Sequence, residues 1–146
     1  MTLQRGGTAT GLKHTPPENT PRLRLKPKAP TTGYVDGAWW PHSDDLHIEL
    51  PDLLAVLSVR LGPIDRVIYN LAEWAKAPAR LMSGRAVRLD GYRQQPVNTV
   101  EVIGLNRNKT VLLVVPAHTE PDRAHDTMMA AAAPDNTSTI DHLLTG

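Results

Sequence analysis

A chain of 146 residues, 40% hydrophobic and 21% charged, is long enough for one packed core and too short for several. It has no cysteine, which excludes disulfides, thiolate nucleophiles and cysteine-ligated zinc. Its net charge of +1 hides an asymmetry: residues 1–30 carry six Lys/Arg against one acid, and residues 31–146 carry ten against fourteen, so a basic arm precedes a mildly acidic body.

Residues 1–21 are rich in Thr, Gly and Pro and hold almost no large apolar side chain, so burial cannot offset the entropy of ordering them. The expectation is a disordered basic N-terminal arm over 1–21 and a single domain over 22–146. The chain opens with no signal-like apolar run, and no stretch approaches the ~20 apolar residues that cross a bilayer. The expected location is the cytoplasm, with no membrane partner.

Order is expected from Arg22. Arg22-Leu23-Arg24-Leu25-Lys26-Pro27 alternates, predicting a half-buried strand with Leu23 and Leu25 inward and Arg22, Arg24 and Lys26 in water. Pro27 and Pro30 put it at a sheet edge. A second strand is predicted over 33–40. Ser43-Asp44-Asp45 reads as a helix start, and Leu46, Leu50, Leu53, Leu54, Leu57 and Leu61 share one helical face. Pro51 predicts a kink, or a helix beginning there. Gly62-Pro63 ends it.

Four extended segments follow, over 64–74, 85–93, 99–105 and 110–115, with a loop over 75–84 between the first two. The last two flank Asn106-Arg107-Asn108-Lys109 and predict an antiparallel hairpin. Val111-Leu112-Leu113-Val114-Val115 lacks alternation and reads as a central strand covered on both faces. Helices are predicted over 122–133 and 137–144, the second capped by Thr137 or Ser138. The sum is α+β: a mainly antiparallel sheet of five to six strands with helices packed on one face.

The aromatic residues concentrate the interest. Three Trp and three Tyr are the only ones, and Trp39 and Trp40 are adjacent, followed by Pro41. Neighbours in a strand point to opposite faces, so one indole enters the core and the other faces away, available to a partner. Tyr69, Trp74 and Tyr92 are candidates for the same surface, with Arg88 as a polar partner. Asn70, inside an apolar strand, needs hydrogen-bond partners if buried; it is expected near Trp39-Trp40 or facing a ligand.

The segment Lys26-Pro-Lys-Ala-Pro-Thr-Thr-Gly-Tyr-Val-Asp-Gly-Ala-Trp-Trp-Pro-His-Ser-Asp-Asp-Leu resembles the opening of a small actinobacterial family, a domain of unknown function. Further matches are Arg-Leu-Gly-Pro-Ile from Arg60, Arg-Leu-Asp-Gly-Tyr from Arg88 and Leu-Leu-Val-Val-Pro from Leu112. The resemblance covers roughly residues 22 to 133 and implies no activity, cofactor or site residue.

Other clusters read as ordinary polar structure. His42, Asp44, Asp45 and His47 have metal-binding chemistry but the wrong helical spacing. His118, Glu120, Asp122 and His125 read as a loop with capping acids. The serines lack a nucleophile-elbow setting, and Met82-Ser83-Gly84-Arg85 reads as an ordinary turn, the alternative being a backbone nest for an anion. No Walker or Gly-x-Gly-x-x-Gly sequence occurs, so no cofactor and no metal are expected. Arg22, Arg24, Lys26 and Lys28 fall at every second position and would suit a phosphate backbone, but the acidic body makes nucleic acid an unfavoured partner. The expectation is a non-enzymatic binding or adaptor domain working through Trp39, Trp40 and Pro41, with a protein partner. The alternatives are a small-molecule-binding protein or enzyme with a pocket between sheet and helices, and a weak nucleic-acid binder through the basic arm.

Overall fold

The computed structural model describes residues 21–27, 34–75, 77–82, 86–133 and 139–145. Along the chain these form β1 (Leu23–Leu25), β2 (Gly37–Trp39), α1 (Leu46–Leu61), β3 (Ile64–Asn70), β4 (Arg80–Met82), β5 (Ala86–Tyr92), β6 (Thr99–Gly104), β7 (Lys109–Val114), α2 (Pro121–Ala131) and α3 (Ile140–Thr145). Residues 1–20 of the predicted arm, Lys28, residues 83–85 of the predicted turn and the caps at Thr137 and Ser138 lie outside the described residues.

The strands make one seven-stranded sheet in the order β1-β2-β7-β6-β3-β5-β4. It is mixed rather than mainly antiparallel, because β2 pairs with β7, and β3 with β5, in parallel. Antiparallel pairing of β6 with both β7 and β3 then points β2, β7, β3 and β5 the same way. The parallel pairing of β2 with β7 joins Trp39 to Val114, a contact too remote in sequence for local turn signals to announce. The predicted hairpin is β6–β7, with Arg107 at φ 73 in its link.

Helices cover both faces, not one. Leu46, Leu50, Leu53, Leu54, Leu57 and Leu61 of α1 bury against Trp39, Val67, Val100, Leu112 and Val114. Ala124, Met128 and Ala131 of α2, with Leu143 of α3, bury against Ala38, Leu113 and Val115. The run 111–115 dictates this: successive side chains alternate faces, so an unbroken apolar strand needs cover on both. Helices on one side alone would have left Leu113 and Val115 in water.

Local chemistry sets the element ends. Asp45 is the N-cap of α1 and accepts from the Ile48 amide at 3.3 Å. Ser43 supports it, accepting from the Asp45 amide at 3.2 Å and donating to Glu49 at 2.8 Å. The helix runs through Pro51 without ending, and Gly62 closes it at φ 74, its N–H donating to Ser58 at 2.8 Å. β3 stops at Asn70, earlier than the predicted 74, because the Asn70 side chain accepts from the Ala72 amide at 2.8 Å and starts a turn. β4 occupies the predicted loop over 75–84, with Leu81 as a buried anchor. Lys26 was expected in water but is 1% exposed, since β1 ends at Leu25 and the alternation ends with it.

Candidate functional site

Trp39 and Trp40 do splay across the sheet. Trp39, 2% exposed, lies under α1 and stacks on Trp74, with ring centroids 5.6 Å apart and planes 19° from parallel. Trp40 is half-buried and packs toward the α2 side. Its ring is covered, however: the Arg22 guanidinium sits 3.7 Å from the ring centroid. Arg22 also donates to the carbonyls of Trp40 and Pro41, each at 2.9 Å, and the indole N–H donates to the Ala117 carbonyl at 3.3 Å. Burial lowers the Arg22 pKa, against the pull of Glu49. Trp40 is therefore a clamp between β1 and the end of β7 more than a free ring.

The sheet opens beside this clamp. Val115 still donates to Trp39 at 2.9 Å, but Pro41 and Pro116 come next on the two parallel strands. Neither proline has an N–H to extend the ladder. Past them the chains separate: β2 leads to α1 on one face and β7 leads to α2 on the other. Adjacent parallel strands whose connections leave on opposite faces create a crevice at their carboxyl ends, the usual ligand position in open sheets of this kind.

Such a crevice, of about 420 Å³, is present, within the range of small-molecule sites. Pro41, Ser43 and Asp44 line it from the β2 side, and Pro116, Ala117 and His118 from the β7 side. Glu73 and Trp74, after β3, and Asn98, before β6, complete it with Val114. Both Glu73 carboxylate oxygens accept from the Asn98 amide at 2.8 Å. Burial raises the Glu73 pKa above the ordinary carboxylate value, and the Asn98 bond acts in the opposite sense. The side chains of Asp44 and His118 have no partner among the described residues. A larger groove of about 600 Å³ runs from Arg22 and Trp40 to Ile48, Glu49 and Asp52 on α1. Its charged groups are already engaged: Arg22 on the carbonyls above, and Glu49 on the His42 amide and Ser43.

The predicted site residues do not all converge. Trp39, Trp40, Pro41 and Trp74 gather at this corner. Tyr69 is in the same core but sealed, its pKa raised by burial and by Asp90. Asn70 lies elsewhere: its amide donates to the Gln95 carbonyl at 2.8 Å and its oxygen takes Ala72, so it organises the β3 and β5 ends rather than the Trp corner. Arg88 pairs with Asp65 at 3.4 Å, and Tyr92, 48% exposed, ends β5; neither lines the crevice. The basic edge is not presented either. Arg22 lies on Trp40 and Lys26 is buried, leaving Arg24 exposed.

Sequence reasoning missed Glu73, Asn98 and Ala117. It considered Asp44 and His118 in two separate clusters; the fold brings one member of each to a single crevice. The available signal was a proline directly after each of two apolar strands. Among the described residues no group of three His, Cys, Asp or Glu stands where it could hold a metal ion, and no helix is long and apolar enough to cross a membrane.

Fold and crevice together define an α+β domain with a mixed sheet and a small cleft at the carboxyl ends of its parallel strands. Residues 22–131 match the family described as "Family of unknown function (DUF5994)", and the chain belongs to that family. The match runs from just before β1 to the last residue of α2. No curated protein matches the chain, and no solved structure matches it.

Proposed function

We propose that this protein is a small-molecule-binding domain whose site is the crevice between the ends of β2 and β7. One observation carries the reading. A cleft of ligand size lies where the parallel strands send their chains to opposite faces, and it holds a half-buried carboxylate, an indole and two polar side chains that no described residue engages. Binding without chemistry is the simpler version, because the lining hydroxyl, Ser43, is taken up by Glu49 and the Asp45 amide in building the start of α1.

A docking role for Trp40, the first expectation from sequence, has less support than the crevice. Its ring is under Arg22 and its N–H is bonded to Ala117.

A fragment screen on the ¹⁵N-labelled full chain tests the reading. Hits are expected to shift the amides of Asn98 and Ala117 and the Trp74 indole, and to be lost when Ala117→Leu fills the cleft. Hits that cluster instead on the exposed Ile48 and Val59 of α1, and survive Ala117→Leu, would refute it.

A further inference from the structure

We infer that the crevice takes a small organic cation, an amine on an apolar stem, with Glu73 and Asp44 as its counter-charges. The inference rests on reading the crevice as the binding site. Pro41, Trp74, Val114 and Pro116 supply apolar walls suited to the stem. The lining residues include two carboxylates, one histidine (His118) and no Lys or Arg. An anionic ligand would meet two carboxylates with His118 alone to set against them, and repulsion by half-buried Glu73 is screened less than at an open surface. A neutral ligand would replace the water on Glu73 with an uncharged donor at best, the weaker kind of hydrogen bond. An ammonium donates to the carboxylate and offsets the desolvation, in the stronger, charge-assisted kind of hydrogen bond.

Glu73 has the capacity for this. Its two oxygens share the single Asn98 N–H, and a carboxylate offers about four acceptor positions. A bare metal ion is the other cation to weigh. It needs several ligating side chains, and no group of three His, Cys, Asp or Glu able to hold one is found among the described residues. The walls beside the carboxylates are carbon, which favours an amine that carries its own apolar part.

The test uses three probes of one shape: benzylamine, benzyl alcohol and benzoate, titrated into the ¹⁵N-labelled full chain. Benzylamine is expected to give saturable shifts at the Asn98 and Ala117 amides and the Trp74 indole, benzyl alcohol weaker ones and benzoate none. Glu73→Gln should weaken benzylamine binding by about tenfold or more, the loss of one charge-assisted hydrogen bond. Asp44→Asn should weaken it less. Asp44 is exposed and no described residue engages its side chain, so this variant retains the fold should Glu73→Gln not do so. Benzyl alcohol or benzoate binding as strongly as benzylamine at the same signals would leave the crevice as a site and overturn the cation. Zn²⁺ saturating those signals below the benzylamine concentration would overturn it in favour of a metal. No shift from any probe would overturn both the cation and the site.

Discussion

The two ends of the sheet obey different rules. At the β1-β2-β7 end both faces are apolar: Trp39, Leu112 and Val114 meet α1, while Ala38, Leu113 and Val115 meet α2 and α3. At the β6-β3-β5-β4 end one face is apolar and packs toward α1, through Val67, Val87, Leu89, Val100 and Val102. The other face carries charge, and the cluster under α2 and α3 includes no residue of β3, β5 or β6. There Arg66 pairs with Asp90 at 3.3 Å, and Glu101 of β6 reaches across to Lys109, the first residue of β7, at 3.5 Å. The register puts Arg66 opposite Arg88, a like-charge contact relieved by Asp90 on one arginine and Asp65 on the other. The lesson concerns where a site can form. The cleft forms where the chain leaves the doubly covered strands on opposite faces, and Glu73 and Asn98 reach it from beyond the ends of β3 and β6. The charged face of the other strands pairs its polar side chains with one another.

This contrast can be broken by substitution, and the largest effect belongs to the covered end. Trp39→Ala empties a sealed, stacked position and should cost about 3–5 kcal/mol, whereas Tyr92→Ala at the other end should stay within about 0.5 kcal/mol. Denaturant unfolding of both variants reads the difference. Leu113→Ala addresses the second layer directly. If α2 covers that face the loss should be about 2–5 kcal/mol; less than about 1 kcal/mol would mean that the face is open.

Gly37→Ala probes the join of β1 to β2. A Cβ there would run into the Arg24 carbonyl, and the expected loss in thermal unfolding corresponds to about 1–3 kcal/mol. At the charged end, a double-mutant cycle on Arg66 and Asp90 should return a coupling of about 0.2–1 kcal/mol that shrinks with added salt, since both side chains are partly exposed.

The smallest effect is that of Glu73, which is only partly buried. Its folded pKa is raised, so the folded state holds the proton more tightly than the unfolded chain does. The ionised carboxylate therefore lowers stability at neutral pH, and stability should rise as pH falls through the Glu73 folded pKa. Glu73→Gln should remove that slope and raise the neutral-pH melting temperature slightly. A variant whose melting temperature falls at neutral pH, with an unchanged slope, would show that the ionised carboxylate contributes more through the Asn98 N–H than it loses by burial.

Much of this was legible in local pattern. The leucine face of α1, the β6–β7 hairpin, the splay of Trp39 and Trp40 and the double covering of 111–115 all follow from periodicity, which acts over a few residues. Lys26 and β4 escaped because each sits where a pattern is too short to read. Asn70 was recognised as needing partners, and only the fold could say that they are Gln95 and Ala72.

The candidate site divides the same way. Side-chain alternation determined which residues of each strand could reach which face, and the two prolines marked where the ladders must stop. Tertiary structure alone decided that β2 lies beside β7 in parallel, and that their chains then part to opposite faces. Strand pairing between distant segments rests on backbone hydrogen bonds, which every residue but proline offers alike, so the sequence does not label its partners. That pairing is what brings Asp44, Glu73, Asn98 and His118 around one cleft.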